Sequence, residues 1–441
     1  MSSASALTRA HRPVPRLELA IERFALSCGA TLLVSPRVGA PVTAVHIHIR
    51  GGPALDPKGL EGTAFLTGTM LDQGTRDYSE SKIAELLEPA GGEVAGDAGG
   101  IHGTIVGGDW KRLLELMASM LVRPRFPEAQ VALHKQRLLD RLSIERDDPR
   151  SQGGLLFRRL VYGDHWLGRA AYGTHASVKR IRTKHLREHH ARHWVGKRAV
   201  IAVCGDIDPE AVRREFERQL RRWNAGTPLV TTAPVLPPRA VRTDAFDAQR
   251  QQVHVFLGHL GITRNHPDYA ALVVMDHVLG TGPGFTNRIS RILRDEQGLC
   301  YSVNANIHGS AGILPGMFTA YIGTSPENVA TAVQGFLREM RRIRDEPVSA
   351  EELEIAKSYL IGSFPLGFER ASRRASYLVS HELHNFPADN LDQMLRAFGA
   401  VTVADVQRAA REQLHPDQAC LAAAGPVKVR QLENLLRDAA R

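Results

Sequence analysis

The chain repeats itself. The alternating segment Val45-His-Ile-His-Ile returns as Val253-His-Val-Phe-Leu. Phe126-Pro-Glu opens an amphipathic stretch through Lys135, Arg137, Leu138 and Leu139, and Val348-Ser-Ala-Glu-Glu opens its counterpart through Ile355, Tyr359 and Leu360. Ala202-Val-Cys-Gly-Asp and the helical pattern up to Leu220 return as Ala422-Ala-Ala-Gly-Pro and the pattern that ends the chain. Three matches in one order, at nearly one offset, mean a duplicated unit. Period-two alternation over 45–49, 103–106, 253–257 and 318–322 predicts strands. Each copy reads strand, helix, helix, strand, strand, three helices, strand, helix. That order predicts an α+β fold of two tandem homologous α/β domains, each a mainly antiparallel sheet with helices packed on one face. A Pro- and Thr-rich stretch separates the copies. The expected division is an N-terminal tail over 1–18, a first domain over 19–224, a linker over 225–246 and a second domain over 247–441.

Several function classes are excluded by composition. No run of 18 apolar residues exists in the 441, so no membrane span is expected. Residues 1–16 carry Arg9, His11 and Arg12 with no apolar stretch behind them, so a secretory signal is not expected and the chain reads as cytoplasmic. Cys28, Cys204, Cys300 and Cys420 are widely spaced and form no CxxC pair, which argues against a disulfide framework or a zinc knuckle. The net charge is +9, but arginine is interleaved with Asp and Glu and not with aromatics, so no nucleic-acid partner is expected.

Chemistry is expected between the first strand and the next helix, in Gly59-Leu-Glu-Gly-Thr-Ala-Phe-Leu-Thr-Gly-Thr-Met-Leu-Asp-Gln-Gly-Thr75. This frame resembles the pitrilysin/insulinase-type zinc peptidases, in particular their small bacterial and mitochondrial-processing-peptidase-like branch. Their first half carries an H-x-x-E-H helix just before a Gly-Thr pair. Two His one turn apart can reach one zinc, and the Glu activates its water. Counting back from Gly74-Thr75 puts the three positions on Phe65, Gly68 and Thr69. The third ligand of the family, a Glu on the helix after Phe126-Pro-Glu, aligns with Arg141, with His134 two turns earlier. The resemblance extends through Ala90-Gly-Gly-Glu, Asp147-Asp-Pro and Gly205-Asp, nearly the whole chain. Phe offers no donor atom, Gly no side chain, Thr a poor ligand, and an Arg repels a dication. The resemblance therefore implies an inactive homologue with no catalytic residue, no metal ligand and no cofactor of its own, zinc being expected only in a partner subunit.

The second half departs from this loss. Thr286-Asn-Arg-Ile-Ser-Arg-Ile-Leu-Arg-Asp-Glu-Gln-Gly-Leu-Cys-Tyr-Ser-Val-Asn-Ala resembles the family's C-terminal segment, whose Arg and Tyr bind substrate opposite the zinc. Arg294 and Tyr301 match that pair. A guanidinium offers several donors to a peptide carbonyl or carboxylate, and a phenol can polarise the same carbonyl. In the family's small members two chains close face to face, one carrying zinc and the other the Arg/Tyr pair. The resemblance thus implies the non-catalytic subunit of a heterodimeric zinc peptidase, closing the chamber around a peptide substrate beside an H-x-x-E-H-bearing partner. In isolation such a chain can pair with itself. An architectural subunit without peptide turnover is the alternative, and an active hydrolase with an unrecognised metal site is the second. For that last reading the candidate ligands are His189 and His193, one turn apart but with no acid between them, and His381 with His384. His46 and His48 read as wall residues facing helices. Gly280-Thr-Gly-Pro-Gly284 reads as a flexible stretch beside the peptide path, where a strand edge could take an extended peptide.

Overall fold

The structure, a computed structural model, describes residues 19–230, 235–282 and 286–439. The tail expected over 1–18 lies outside them, as does Gly284.

Two sheets carry the fold. The first holds β1 (Glu22–Ala25), β2 (Thr31–Pro36), β3 (Val42–Ile49), β4 (Glu93–Asp97), β5 (Gly100–Val106) and β6 (Ala199–Gly205), in the order β1-β2-β6-β3-β5-β4. The second holds β7 (Arg242–Asp247), β8 (Val253–Leu260), β9 (Cys300–Asn306), β10 (Met317–Thr324) and β11 (Cys420–Gly425), in the order β7-β11-β8-β10-β9. Apart from the extra edge strand β1, the two orders superpose. In each sheet one pair is parallel, β2 with β6 and β7 with β11, and the other pairs are antiparallel. All four alternating segments are strands in the predicted places. The end of the stretch read as linker, from Arg242 to Phe246, is instead strand: it forms most of β7, the parallel neighbour of β11. Its Arg-Thr-Asp-Ala-Phe-Asp composition hides it, because an edge strand of intermediate burial shows no apolar alternation.

One face of each sheet is covered by its own lobe's helices. Val45 and Ile47 of β3 pack with Leu113 and Met117 of the helix Trp110–Val122. Val255 and Leu257 of β8 pack with Phe336 and Met340 of the helix Val329–Asp345. The other face is covered by a helix from the opposite half. Ala375, Leu378 and Val379, on the helix Ala371–His384, pack against Leu33, Ala44, Val200, Ala202 and Cys204 of the first sheet. Phe157, Val161 and Tyr162, on the helix Pro149–Tyr162, pack against Cys420 and Ala422 of the second. This exchange explains why β6 and β11 are buried along their whole length and read Ala-Val-Ile-Ala-Val-Cys-Gly and Cys-Leu-Ala-Ala-Ala-Gly, with no polar face. It also places one of the wall histidines: His46 Nδ1 lies 3.1 Å from Ser376 Oγ on the exchanged helix. At the rim Arg23 donates to both carboxylate oxygens of Glu382, at 3.0 and 2.9 Å. Among the described residues, no helix is long and apolar enough to cross a membrane.

Candidate functional site

The degenerate motif sits on the short helix Thr63–Thr69, whose backbone start is held by Asp56: its carboxylate accepts from Gly62 N at 2.8 Å and Ala64 N at 2.7 Å. Side-chain carboxylates suit the free N–H groups of a helix start. Along this helix Phe65 is half-buried and Gly68 is buried. Gly68 touches the edge strand β4 backbone to backbone: a Cβ there would overlap the carbonyl oxygen of Asp97. The contact is reciprocal, since a Cβ on Gly96 would overlap the carbonyl oxygen of Gly68. The position that would bear a catalytic Glu thus has no room for any side chain.

The space around Phe65 is taken by a closed cluster. Its ring meets Tyr172 edge-on, with centroids 6.0 Å apart. Arg141 lies with its guanidinium 4.7 Å from the centre of the same Tyr172 ring and donates through Nε to Glu145 Oε1 at 2.8 Å. Tyr172 Oη donates to Glu145 Oε2 at 2.6 Å. Glu145, one turn beyond Arg141, was not singled out in the sequence, although the i,i+4 Arg/Glu spacing was readable. It is the carboxylate of this cluster, and both of its oxygens are engaged. The Arg/Glu hydrogen bond holds Arg141 above the usual guanidinium range, while burial and the Glu145 acceptor push the Tyr172 phenol up to about 12. Zinc does not fit here. Phe65 supplies no donor, the Thr69 hydroxyl donates to the Leu66 carbonyl oxygen at 3.2 Å, and the helix behind them presents a neutralised Arg–Glu pair. No group of three or more His, Cys, Asp or Glu is gathered to hold a metal ion among the described residues.

The histidine pairs have other roles. His189 is buried, its ring 4.8 Å from that of His193, and His193 Nδ1 lies 2.9 Å from Arg198 Nη1. His190 Nε2 lies 2.9 Å from the carbonyl oxygen of Leu121. Burial pushes His189 down to about 3 and His190 to about 4, so both are neutral near pH 7. An unfolded histidine titrates near 6.5. Above that pH the two histidines cost nothing; as pH falls through about 6.5 the unfolded chain binds protons that the folded chain refuses until about 4. Stability should therefore drop between about pH 6.5 and 4, by on the order of 1–2 kcal/mol per buried histidine at pH 5. Urea melts across this window should show the loss, and His189→Phe should make it shallower by its own share; an unchanged slope in that variant would refute the assignment. His381 Nε2 lies 2.9 Å from the carbonyl oxygen of Pro387, and His384 stacks on Phe386 with ring centroids 5.2 Å apart, so this pair braces the end of the exchanged helix.

In the second lobe, Arg294 lies in the last turn of the helical segment Ser290–Glu296, its Nε donating to Asp295 Oδ1 at 3.1 Å. Tyr301 stands at the start of β9 and is 92% exposed, on the terminal strand of the sheet. The segment that bears Arg294 is anchored by Arg288, only 4% exposed, which donates to both oxygens of Glu352 at 2.7 and 2.8 Å. This bidentate pair holds the Glu352 carboxyl down at about 2. Arg288 is the anchor that sequence reasoning missed, because an Arg among several in one helix carries no mark of which is buried. Gly280 is not loose: it is buried, and a Cβ there would come within 2.5 Å of Ala305 N and 2.6 Å of Ala305 O on β9. It lets the preceding helix end lie directly on the strand.

Fold and site define a two-lobed α+β protein in which the expected motif positions hold a ring at Phe65 and a backbone contact at Gly68, with an Arg141–Glu145 pair behind them. Residues 180–360 match the family model described as the peptidase M16 inactive domain. An uncharacterized zinc protease of Streptomyces coelicolor is 26% identical over 410 residues, covering 91% of this chain and 88% of that protein. The non-peptidase homolog YmxG of Helicobacter pylori is 25% identical over 370 residues, covering 80% of this chain and 82% of that protein. The chain thus carries a segment matching the peptidase M16 inactive domain and is similar over most of its length to proteins named as zinc proteases or as a non-peptidase homolog. Its fold matches the solved structure of a peptidase M16 inactive domain from Pseudomonas fluorescens, with a TM-score of 0.87 over 93% of this chain and 99% of that one, at 24% identity.

Proposed function

We propose that the chain is the non-catalytic subunit of a two-chain M16 peptidase, closing the chamber of a zinc-bearing H-x-x-E-H partner in the cytoplasm and holding peptide through Arg294 and Tyr301. In this reading the two homologous domains, 19–224 and 247–441, form half of the chamber wall. The observation that carries it is the contrast between the two halves. The Gly68–Asp97 contact closes the motif helix, whereas Tyr301 projects from an open strand edge beside an anchored Arg-bearing helix. The edge of β9 suits an extended peptide, whose backbone could add to the sheet while Tyr301 and Arg294 meet its carbonyls.

The test mixes the purified chain with an H-x-x-E-H protein encoded beside it. Peptide cleavage by the partner should rise on mixing. Arg294→Ala or Tyr301→Phe should remove most of that gain, by about tenfold or more, without weakening association. No gain on mixing, or a gain indifferent to both substitutions, would overturn the reading. Stoichiometric zinc and cleavage by the chain alone would instead favour an active hydrolase. Sedimentation of the chain by itself should show whether it pairs with a second copy.

A further inference from the structure

A cavity of about 390 Å3 lies away from the motif helix, between the exchanged helix Ala371–His384 and other helices of the second lobe. That volume falls within the range of small-molecule sites, roughly 300–1,000 Å3. Phe364, Phe368, Met394 and Phe398 give it an apolar wall. Tyr377 and Ser380 line it from the exchanged helix.

Two arginines line this cavity, Arg373, which is exposed, and Arg264. Arg264 is half-buried, with its guanidinium 3.7 Å from the centre of the Tyr269 ring and 5.3 Å from that of Phe386. Its side-chain hydrogen bond goes to a thioether, Met394 Sδ, at 3.1 Å. Burial lowers its pKa, and among the described residues no carboxylate forms an ion pair with it. The acids nearest in sequence are engaged elsewhere. Asp268 pairs with Arg408 at 2.7 Å, and Asp276 accepts through Oδ2 from Ile307 N at 2.8 Å, from His308 N at 3.0 Å and from the His308 ring, its Oδ1 being buried without a partner. A partly desolvated guanidinium is costly unless an anion meets it, and ring faces compensate only in part.

We propose that this cavity binds a small carboxylic acid with an aromatic body, its carboxylate on Arg264 and its ring among Phe364, Phe368 and Phe398. The planar fork of a guanidinium matches a carboxylate in two parallel hydrogen bonds, and the aromatic wall offers a ring edge-to-face contacts. Tyr377 and Ser380 belong to the helix that covers the first sheet, so an occupant would brace that helix against the other helices of the second lobe and raise the melting temperature.

Calorimetric titration of the whole chain with 3-phenylpropionate and its uncharged amide, 3-phenylpropionamide, tests this directly. The acid should bind, and the amide should bind at least tenfold more weakly. Arg264→Met, which keeps an apolar stem, should reduce the acid to the level of the amide. Ser380→Phe should fill the cavity and abolish binding of both. No binding of the acid at millimolar concentration, equal binding of acid and amide, or acid binding unaffected by Arg264→Met or by Ser380→Phe would each overturn the proposal. The comparison of acid with amide on the unaltered chain decides it even where a variant does not fold.

Discussion

Replacing Gly68 with alanine is expected to destabilise the protein by about 1–3 kcal/mol or more, the usual cost of overpacking a tight site. The reason is that its neighbour is backbone. A Cβ on Gly68 overlaps the Asp97 carbonyl oxygen, and the facing Gly96 allows no retreat because its own Cβ position overlaps Gly68 O. The strand must therefore move away from the helix. The same contact makes the motif hard to restore. Phe65→His, Gly68→Glu and Thr69→His introduced together should yield a chain that melts lower than the parent and binds less than stoichiometric zinc. Even a His at residue 65 would face Tyr172 and the Arg141–Glu145 pair rather than an empty carboxylate. Denaturant melts and metal analysis check both parts. A triple variant as stable as the parent and holding one zinc per chain would show that the site is closed only by its side chains.

Much of this could be read before the structure, and the rest had physical reasons to stay hidden. Alternation along Val45–Ile49 exposed β3, because one face of that strand meets an apolar core and the other meets histidines. The repeat exposed the duplicated sheet. The lack of a donor at Phe65 and of a side chain at Gly68 was legible because it is visible in the residue itself. That Gly68 is a contact and not just a vacancy was not legible, since it depends on β4 arriving from 28 residues later in the chain. Tyr172 joined the cluster from a loop with no period. Arg264 gave no sign either: its surroundings include Phe386 and Met394, which come from distant segments. The exchange of helices left a trace, the two apolar runs of β6 and β11. Such runs mean strands covered on both sides but do not say which helix covers them.

That exchange carries the second large effect. Phe157→Ala should destabilise the protein by about 3–5 kcal/mol, and Leu378→Ala by about 2–5 kcal/mol, as full truncations of buried side chains do. Phe157 is 1% exposed and stacks on Phe256 of β8 with ring centroids 6.2 Å apart; Leu378 is fully buried against the first sheet. Neither residue belongs, by sequence, to the sheet it covers. If each lobe folded by itself, Phe157→Ala would weaken a surface feature of the second lobe and leave the first intact. With the helices exchanged, neither sheet has a complete core until both halves are present. Unfolding should then be one transition, followed equally by probes in either lobe, such as Trp194 and Trp223 in the first and an added fluorophore in the second. Both variants should shift that single transition as a whole. A biphasic melt in which Phe157→Ala moves one phase and Leu378→Ala the other would show that the lobes are independent. A single transition would instead mean that the open edge at Tyr301 and the closed helix at Gly68 are held in fixed relation by the same core, as one half of a chamber requires.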